Sequence, residues 1–289
     1  FSALLSIVAL LWFIMSKDYL QLNTHVTDHF ALLLFALVGA VFMVSYHNLV
    51  MLFLGIETLS IALYVLAGSR MKDILSNEAA FKYFLMGSFA TGFLLFGIAL
   101  IYGSTGSFHL VEIKEAILSG TMEFTELLYA GVLMILMGLA FKISAAPFHF
   151  WAPDVYQGSP TVVTAFMSTT VKIAAFAAFF RLFFICFVSV AGIWLDVVTV
   201  ITVLTLLISN ITAVYQNNAK RLLAYSSVAH AGYLLITLIT MNEASHGVIL
   251  YYVSAYSAAT IGAFAALHCM EKGDEQATID MFNGMAKQN

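Results

Sequence analysis

"GLAFKISAAPFHFWAPDVYQGSP", residues 138–160, sets a lysine at the end of an apolar run and then uses all three prolines of the 289-residue chain. Proline lacks a backbone N–H and its ring clashes with the carbonyl four residues back. Pro147 therefore predicts that the helix opens at Ile143, in the turn after Lys142. The piece that follows, 147–158, is bounded by Pro147 and Pro160 and is too short to cross a bilayer, so it reads as the second half of a broken helix. Interrupted helices at membrane depth are tolerated only where protein covers them or water reaches them, and in transporters they frame ion sites.

The rest of the chain supplies that membrane. Hydrophobic residues make up 62% and charged residues 10%, against about a quarter charged in soluble domains, and the mean hydropathy is +0.94. A hydrocarbon core of about 30 Å takes roughly 20 helical residues, and backbone in lipid must satisfy its own hydrogen bonds. The fold class is thus an all-α, polytopic transmembrane bundle. Nine spans are expected, at 1–16, 28–46, 48–68, 78–103, 126–146, 160–187, 190–215, 219–241 and 246–270. The chain is read as one transmembrane domain over 1–289. It opens at Phe1 inside an apolar run, with no signal peptide, and its tail "EKGDEQATIDMFNGMAKQN" looks like a loop between spans. Further sequence is expected at both ends.

A formal net charge of −4, spread through loops, argues against nucleic-acid binding and against a polybasic membrane-surface mode. Cys186 and Cys269 lie in apolar segments without metal spacing and read as buried free thiols; no metal site is expected. Lys17, Arg70, Lys72, Lys220, Arg221, Lys272 and Lys287 fall on one side of the nine-span arrangement, against Lys114 and Arg181 on the other. The positive-inside rule then puts residue 1 outside, in the periplasm of a bacterium, and the tail in the cytoplasm. The connection 104–125, with Glu112, Lys114, Glu115 and Glu123, is read as a solvated connector, a short surface helix being the alternative.

A charge in mid-span costs at least about 2.5–3.5 kcal/mol on insertion scales, so each one needs a partner, water or a task. Glu57, Lys142 and Lys172 qualify, and Lys172 has no acid between Val155 and Leu195. Lys82, near the start of its span, can snorkel. Burial disfavours the charged form of each group and mutual attraction restores it, the balance that proton transfer needs. The alternative is a static Glu57–Lys142 ion pair that holds two helices together. His149, just past the break, and His230 are candidate relays, whereas His246 and His268 read as hydrogen-bonded filler. Haem would want facing histidine pairs, and these are scattered one per helix. In "NNAKRLLAYSSVAHAGYLLI", Lys220, Tyr225, Ser226, Ser227, His230 and Tyr233 recur, with Asn210 and Thr212 on the preceding span. They read either as a hydrogen-bonded path or as helix glue, and Lys220 as a relay or a positive-inside anchor.

The quoted stretch, continued through "TVVTAFMSTTVKIAAF", together with "FLGIETLSIALYVL" and "QNNAKRLLAYSSVAHAGYLL", resembles the antiporter-like membrane subunits of proton-pumping NADH:quinone oxidoreductase, respiratory complex I. The N type is the most similar, since it has a lysine where Lys172 stands. The resemblance implies part of a fourteen-helix fold with two inverted five-helix repeats, the first at 28–187 and a partial second at 190–270. It implies a proton relay through Glu57, Lys142, Lys172 and Lys220, with His149 and His230 secondary, in a bacterial inner membrane. It further implies no cofactor on this chain, with NADH, FMN, iron-sulfur clusters and quinone, ubiquinone or menaquinone, in partner subunits of the membrane arm and beyond. Multisubunit sodium/proton antiporters and membrane-bound hydrogenase complexes use relatives of the same subunit and stand as alternatives.

Overall fold

A computed structural model describes residues 1–22, 26–120, 122, 124–242, 244–271 and 277–284. Eleven α-helices follow one another: α1 (Ser2–Leu22), α2 (Val26–Ser45), α3 (Leu49–Ala67), α4 (Ile74–Thr105), α5 (Leu110–Ser119), α6 (Thr125–Lys142), α7 (Trp151–Gly158), α8 (Thr161–Phe180), α9 (Ala191–Val214), α10 (Ala219–Thr240) and α11 (Ser245–Met270). Among the described residues nine helices are long and apolar enough to cross a membrane, α5 and α7 being too short. Each lies within a few residues of its expected span, because length and hydropathy alone fix such boundaries.

Local chemistry sets the helix starts. Asn48, Asp73 and Asn218 accept hydrogen bonds from Val50, Leu75 and Arg221 N–H groups, capping the first turns of α3, α4 and α10. Between helices the close approaches rest on small residues, as is usual where lipid supplies no hydrophobic drive. A Cβ on Gly39 would lie 2.5 Å from Leu59 N and one on Gly158 2.1 Å from the Leu75 carbonyl oxygen, so α2 meets α3, and α7 meets α4, backbone to backbone.

At the centre stands α8, every residue of which is buried; α1, α2, α3, α10 and α11 pack around it. The outer helices turn Phe35, Phe89, Phe96, Leu207, Ile211 and others outward, the surface expected to meet lipid tails. On one face of the bundle Asn48 pairs with His109, and on the opposite face Asn218 with Thr278, which ties the loops across helix ends.

Three sequence expectations change and one feature is added. The 104–125 connection contains the helix α5, with Leu110 and Ile113 on its buried side; the apolar spacing of that one turn outweighs its charges. Cys269 is exposed, unlike buried Cys186, because it lies on the outward face of α11 with Gly262 and Ala266, opposite buried Leu267. The sixth span finishes as a π-helical turn, Arg181–Cys186, which no composition signal announces. Asn210 and Tyr233, placed on the polar path, face outward, Asn210 bonding back to the Leu206 carbonyl. Lys272, Lys287 and Glu123, used above, lie outside the described residues.

Candidate functional site

The helix breaks where Pro147 requires it. α6 ends at Lys142, Ser144 turns the chain with φ of 60°, and α7 begins at Trp151. Groups released by the break find side-chain partners: the Ala146 N–H donates to Thr205 Oγ1 of α9 at 2.9 Å, and the Trp151 indole N–H donates to the Phe141 carbonyl at 3.1 Å. A non-helical segment at this depth is stable only because such partners exist.

Lys142 is buried, 4% exposed. Its Nζ donates to Ser60 Oγ at 2.7 Å, and Ser60 in turn donates to the Ile56 carbonyl. Glu57, Ser60 and Tyr64 follow at i, i+3 and i+7 and so share one face of α3; the ammonium lies 5.9 Å from the Tyr64 ring centroid. No ion pair within 4.0 Å joins Glu57 to Lys142 among the described residues. Glu57 Oε1 is buried and has no protein partner. The static ion pair weighed above is therefore not formed; Ser60 is Lys142's hydrogen-bonding partner on the helix that carries the acid.

Lys172, 2% exposed, has no acid within ion-pair distance among the described residues and is held by neutral groups. It donates to the carbonyl and the hydroxyl of Ser227 on α10, the latter at 2.7 Å, and lies 5.5 Å from the Tyr256 ring. Tyr256 OH reaches Ser227 Oγ at 2.8 Å and the Ser168 carbonyl at 3.1 Å. The His230 ring stands 4.8 Å from that of Tyr256, and His230 Nδ1 is 2.6 Å from Tyr252 OH. His230 thus joins Lys172's surroundings. His149 is buried with an unpartnered Nδ1, and its ring is 6.4 Å from that of Tyr225.

Two turns before Ser227 on the same face of α10, Lys220 is 5% exposed. It donates to the Ser159 carbonyl at 2.9 Å and stands 4.0 Å from Glu271 Oε1. Nearby, outside the nine spans, Asp154 of α7 accepts from Lys82 and from Arg221, both at 2.6 Å. Burial pushes the Asp154 carboxyl up, but the hydrogen bonds from Lys82 and Arg221 outweigh it and hold the group below the usual carboxylate range. Lys82 is consequently paired rather than free to snorkel.

The structure brings Glu57 and Lys142 to one interface and Lys172 and His230 to another, with Lys220 beyond. Among the described residues no hydrogen bond connects the Lys142 group to the Lys172 group, and no cluster of three metal-ligating side chains occurs. Sequence reading missed Ser60, Tyr256 and Glu271. Only Ser60 carried a signal, its spacing from Glu57.

An all-helical membrane protein with a span broken beside a buried lysine, and further lysines buried in later spans, is the class this geometry defines. Residues 46–289 match the family described as NADH:quinone oxidoreductase/Mrp antiporter, TM, and the chain belongs to it. The chain is 46% identical over 289 residues to NADH-quinone oxidoreductase subunit N of Flavobacterium psychrophilum, covering 99% of this chain and 63% of that protein. It is 43% identical over 290 residues to the subunit N of Cytophaga hutchinsonii, covering 100% and 62%. Its structure is similar to a chain of respiratory complex I from Thermus thermophilus, with TM-score 0.82 and 35% identity over 100% of this chain and 61% of that one. The chain thus spans a little under two thirds of the length of these relatives.

Proposed function

We propose that this chain is part of a subunit N-type component of a proton-translocating NADH:quinone oxidoreductase, moving protons without a redox centre of its own. Quinone reduction in partner subunits shifts charge near Glu57. The change in field alters the proton affinity of Lys142 and is passed on to Lys172 and Lys220, with His149 and His230 as secondary relays. NADH, FMN, iron-sulfur clusters and quinone belong to those partners. Residues 28–187 form the first repeat and 190–270 part of the second.

The observation that carries this reading is the manner of holding the lysines. Each is buried and hydrogen-bonds to hydroxyls or carbonyls; Lys220 also has a carboxylate, Glu271, at the 4.0 Å edge of ion-pair distance and beyond hydrogen-bond reach. A neutral cradle stabilises an ammonium modestly and tolerates the free amine, so a moderate change in nearby charge decides which form persists. A lysine locked onto a carboxylate would not switch so readily.

In the assembled complex Lys142→Ala is expected to abolish or sharply reduce proton pumping coupled to quinone reduction. A normal pumping stoichiometry in an assembled variant overturns the proposal. Since the family also includes Mrp-type antiporters, a second reading is cation/proton exchange; sodium-dependent proton exchange in vesicles without any quinone substrate would favour it.

A further inference from the structure

Glu271 follows directly on α11 and is a buried acid that the relay above does not use: its side chain is 7% exposed. Both its oxygens lie 2.6 Å from the Thr161 hydroxyl at the start of α8. Its Oε1 is 4.0 Å from Lys220 Nζ, itself bound to the Ser159 carbonyl. The Ser159 hydroxyl is buried with no protein partner. This corner is built by three separate parts of the chain, the end of α11, the α7–α8 turn and the start of α10. Arg70 and Asp73, in the α3–α4 loop, are the next charges acting on Lys220.

The spacing puts this pair at the outer edge of ion-pair distance, without a direct hydrogen bond. At 4.0 Å the two groups are beyond hydrogen-bond distance but within reach of a single intervening hydroxyl or water. Lys220 has three donors and the described partners use one. By the positive-inside count the corner lies at the cytoplasmic ends of α8, α10 and α11, while Lys220 shares its helix face with Ser227, the partner of Lys172.

We propose that Glu271 is the proton-exchange carboxylate through which Lys220 is loaded and unloaded from the cytoplasmic surface, an inference that rests on the proton-transfer reading above. The protonated carboxyl gives its proton, through a hydroxyl or one water, to the neutral Lys220 amine. A carboxylate and an ammonium result, and the carboxylate takes its next proton from bulk water. Thr161 holds the carboxyl toward the lysine.

The test uses the full-length subunit in the assembled complex, with NADH-driven proton uptake and quinone reduction followed across pH in inverted membrane vesicles. Glu271→Gln keeps the shape and loses the titration, and it is expected to lose proton uptake. Glu271→Asp is expected to retain uptake with a shifted pH profile, which a merely structural carboxylate would not cause. Wild-type proton yield and pH profile in Glu271→Gln overturn the inference. If that variant does not assemble, an unchanged profile in Glu271→Asp overturns it instead. Lys142→Met, run in parallel, separates the two claims: full pumping there overturns the proposed function, whereas full pumping in Glu271→Gln alone overturns only this inference.

Discussion

Lys142 occupies the last residue of α6, where the backbone ladder stops and Ser60 offers a hydroxyl from the helix that also carries Glu57. Lys172 lies well inside α8, a helix buried on all sides, where Ser227 and Tyr256 surround it with neutral dipoles and no acid is in reach. Both ammonium groups are almost equally shielded, so the difference lies in what answers the charge. A remote carboxylate acts on the first through space. The second depends on oriented hydroxyl, carbonyl and ring groups alone. On the proposed relay, a charge signal arriving at Glu57 would move Lys142 directly, while Lys172 would respond to changes in Lys142 or in the His230 and Lys220 surroundings.

The sharpest way to break this contrast is to replace each lysine by methionine, which keeps the stem and removes the charge. Lys142→Met removes the cation on which Glu57 acts through space and the donor to Ser60, and is expected to destabilise the subunit by about 1.5–3 kcal/mol, the range for a hydrogen bond to a charged group. Lys172→Met strands no acid, and relief of the desolvation penalty is expected to leave stability unchanged or raise it by up to about 4 kcal/mol. Thermal unfolding of the assembled complex in detergent reads both. Equal destabilisation by the two substitutions would remove the distinction. Adding Glu57→Gln to Lys142→Met should recover stability, with a coupling of about 0.5–3 kcal/mol in a double-mutant cycle.

The broken segment itself is the next target, since α7 is held by contacts that the continuous α8 does not need. A methyl group at Gly158 would meet the Leu75 carbonyl oxygen at 2.1 Å. Gly158→Ala is therefore expected to cost about 3 kcal/mol, the upper part of the overpacking range, and to shift α7 away from α4. Thr205→Val removes the acceptor of the Ala146 N–H and should cost about 1–3 kcal/mol. Amide hydrogen exchange at residues 144–150 should rise in the Thr205 variant while that of α8 stays unchanged; faster exchange in both would show that the break has no independent support.

The fold was largely readable because membrane spans are set by length and hydropathy, and the break because Pro147 forbids one specific hydrogen bond. Lys142, Lys172 and Glu57 stood out because charge is costly in an apolar run. What stayed hidden depends on tertiary approach. Tyr256 looks like any interfacial tyrosine until α11 brings it over Lys172, and Glu271 reads as the start of a polar tail until Thr161 and Lys220 close around it. The π-helical turn at Arg181 likewise follows from packing, where Arg181 donates to the Tyr46 carbonyl at 2.6 Å, and has no local pattern of its own.

The smallest expected difference tests the cradles directly. Ser60→Ala removes the side-chain oxygen that receives a hydrogen bond from Lys142, and a hydrogen bond to a charged group is worth about 1.5–3 kcal/mol. Ser227→Ala removes an acceptor from both Lys172 and Tyr256 but leaves each donor a carbonyl, that of Ser227 and that of Ser168, so its cost per bond should be nearer the average of about 0.6 kcal/mol for hydrogen bonds in membranes. Pumping should follow the same order, with Ser60→Ala the more impaired, because it also removes the hydroxyl through which the α3 face that bears Glu57 hydrogen-bonds to the ammonium of Lys142. Should Ser227→Ala prove the costlier of the two in both unfolding and pumping, the Lys172 cradle depends on hydroxyl geometry, and the carbonyl and the Tyr256 ring cannot hold the ammonium by themselves.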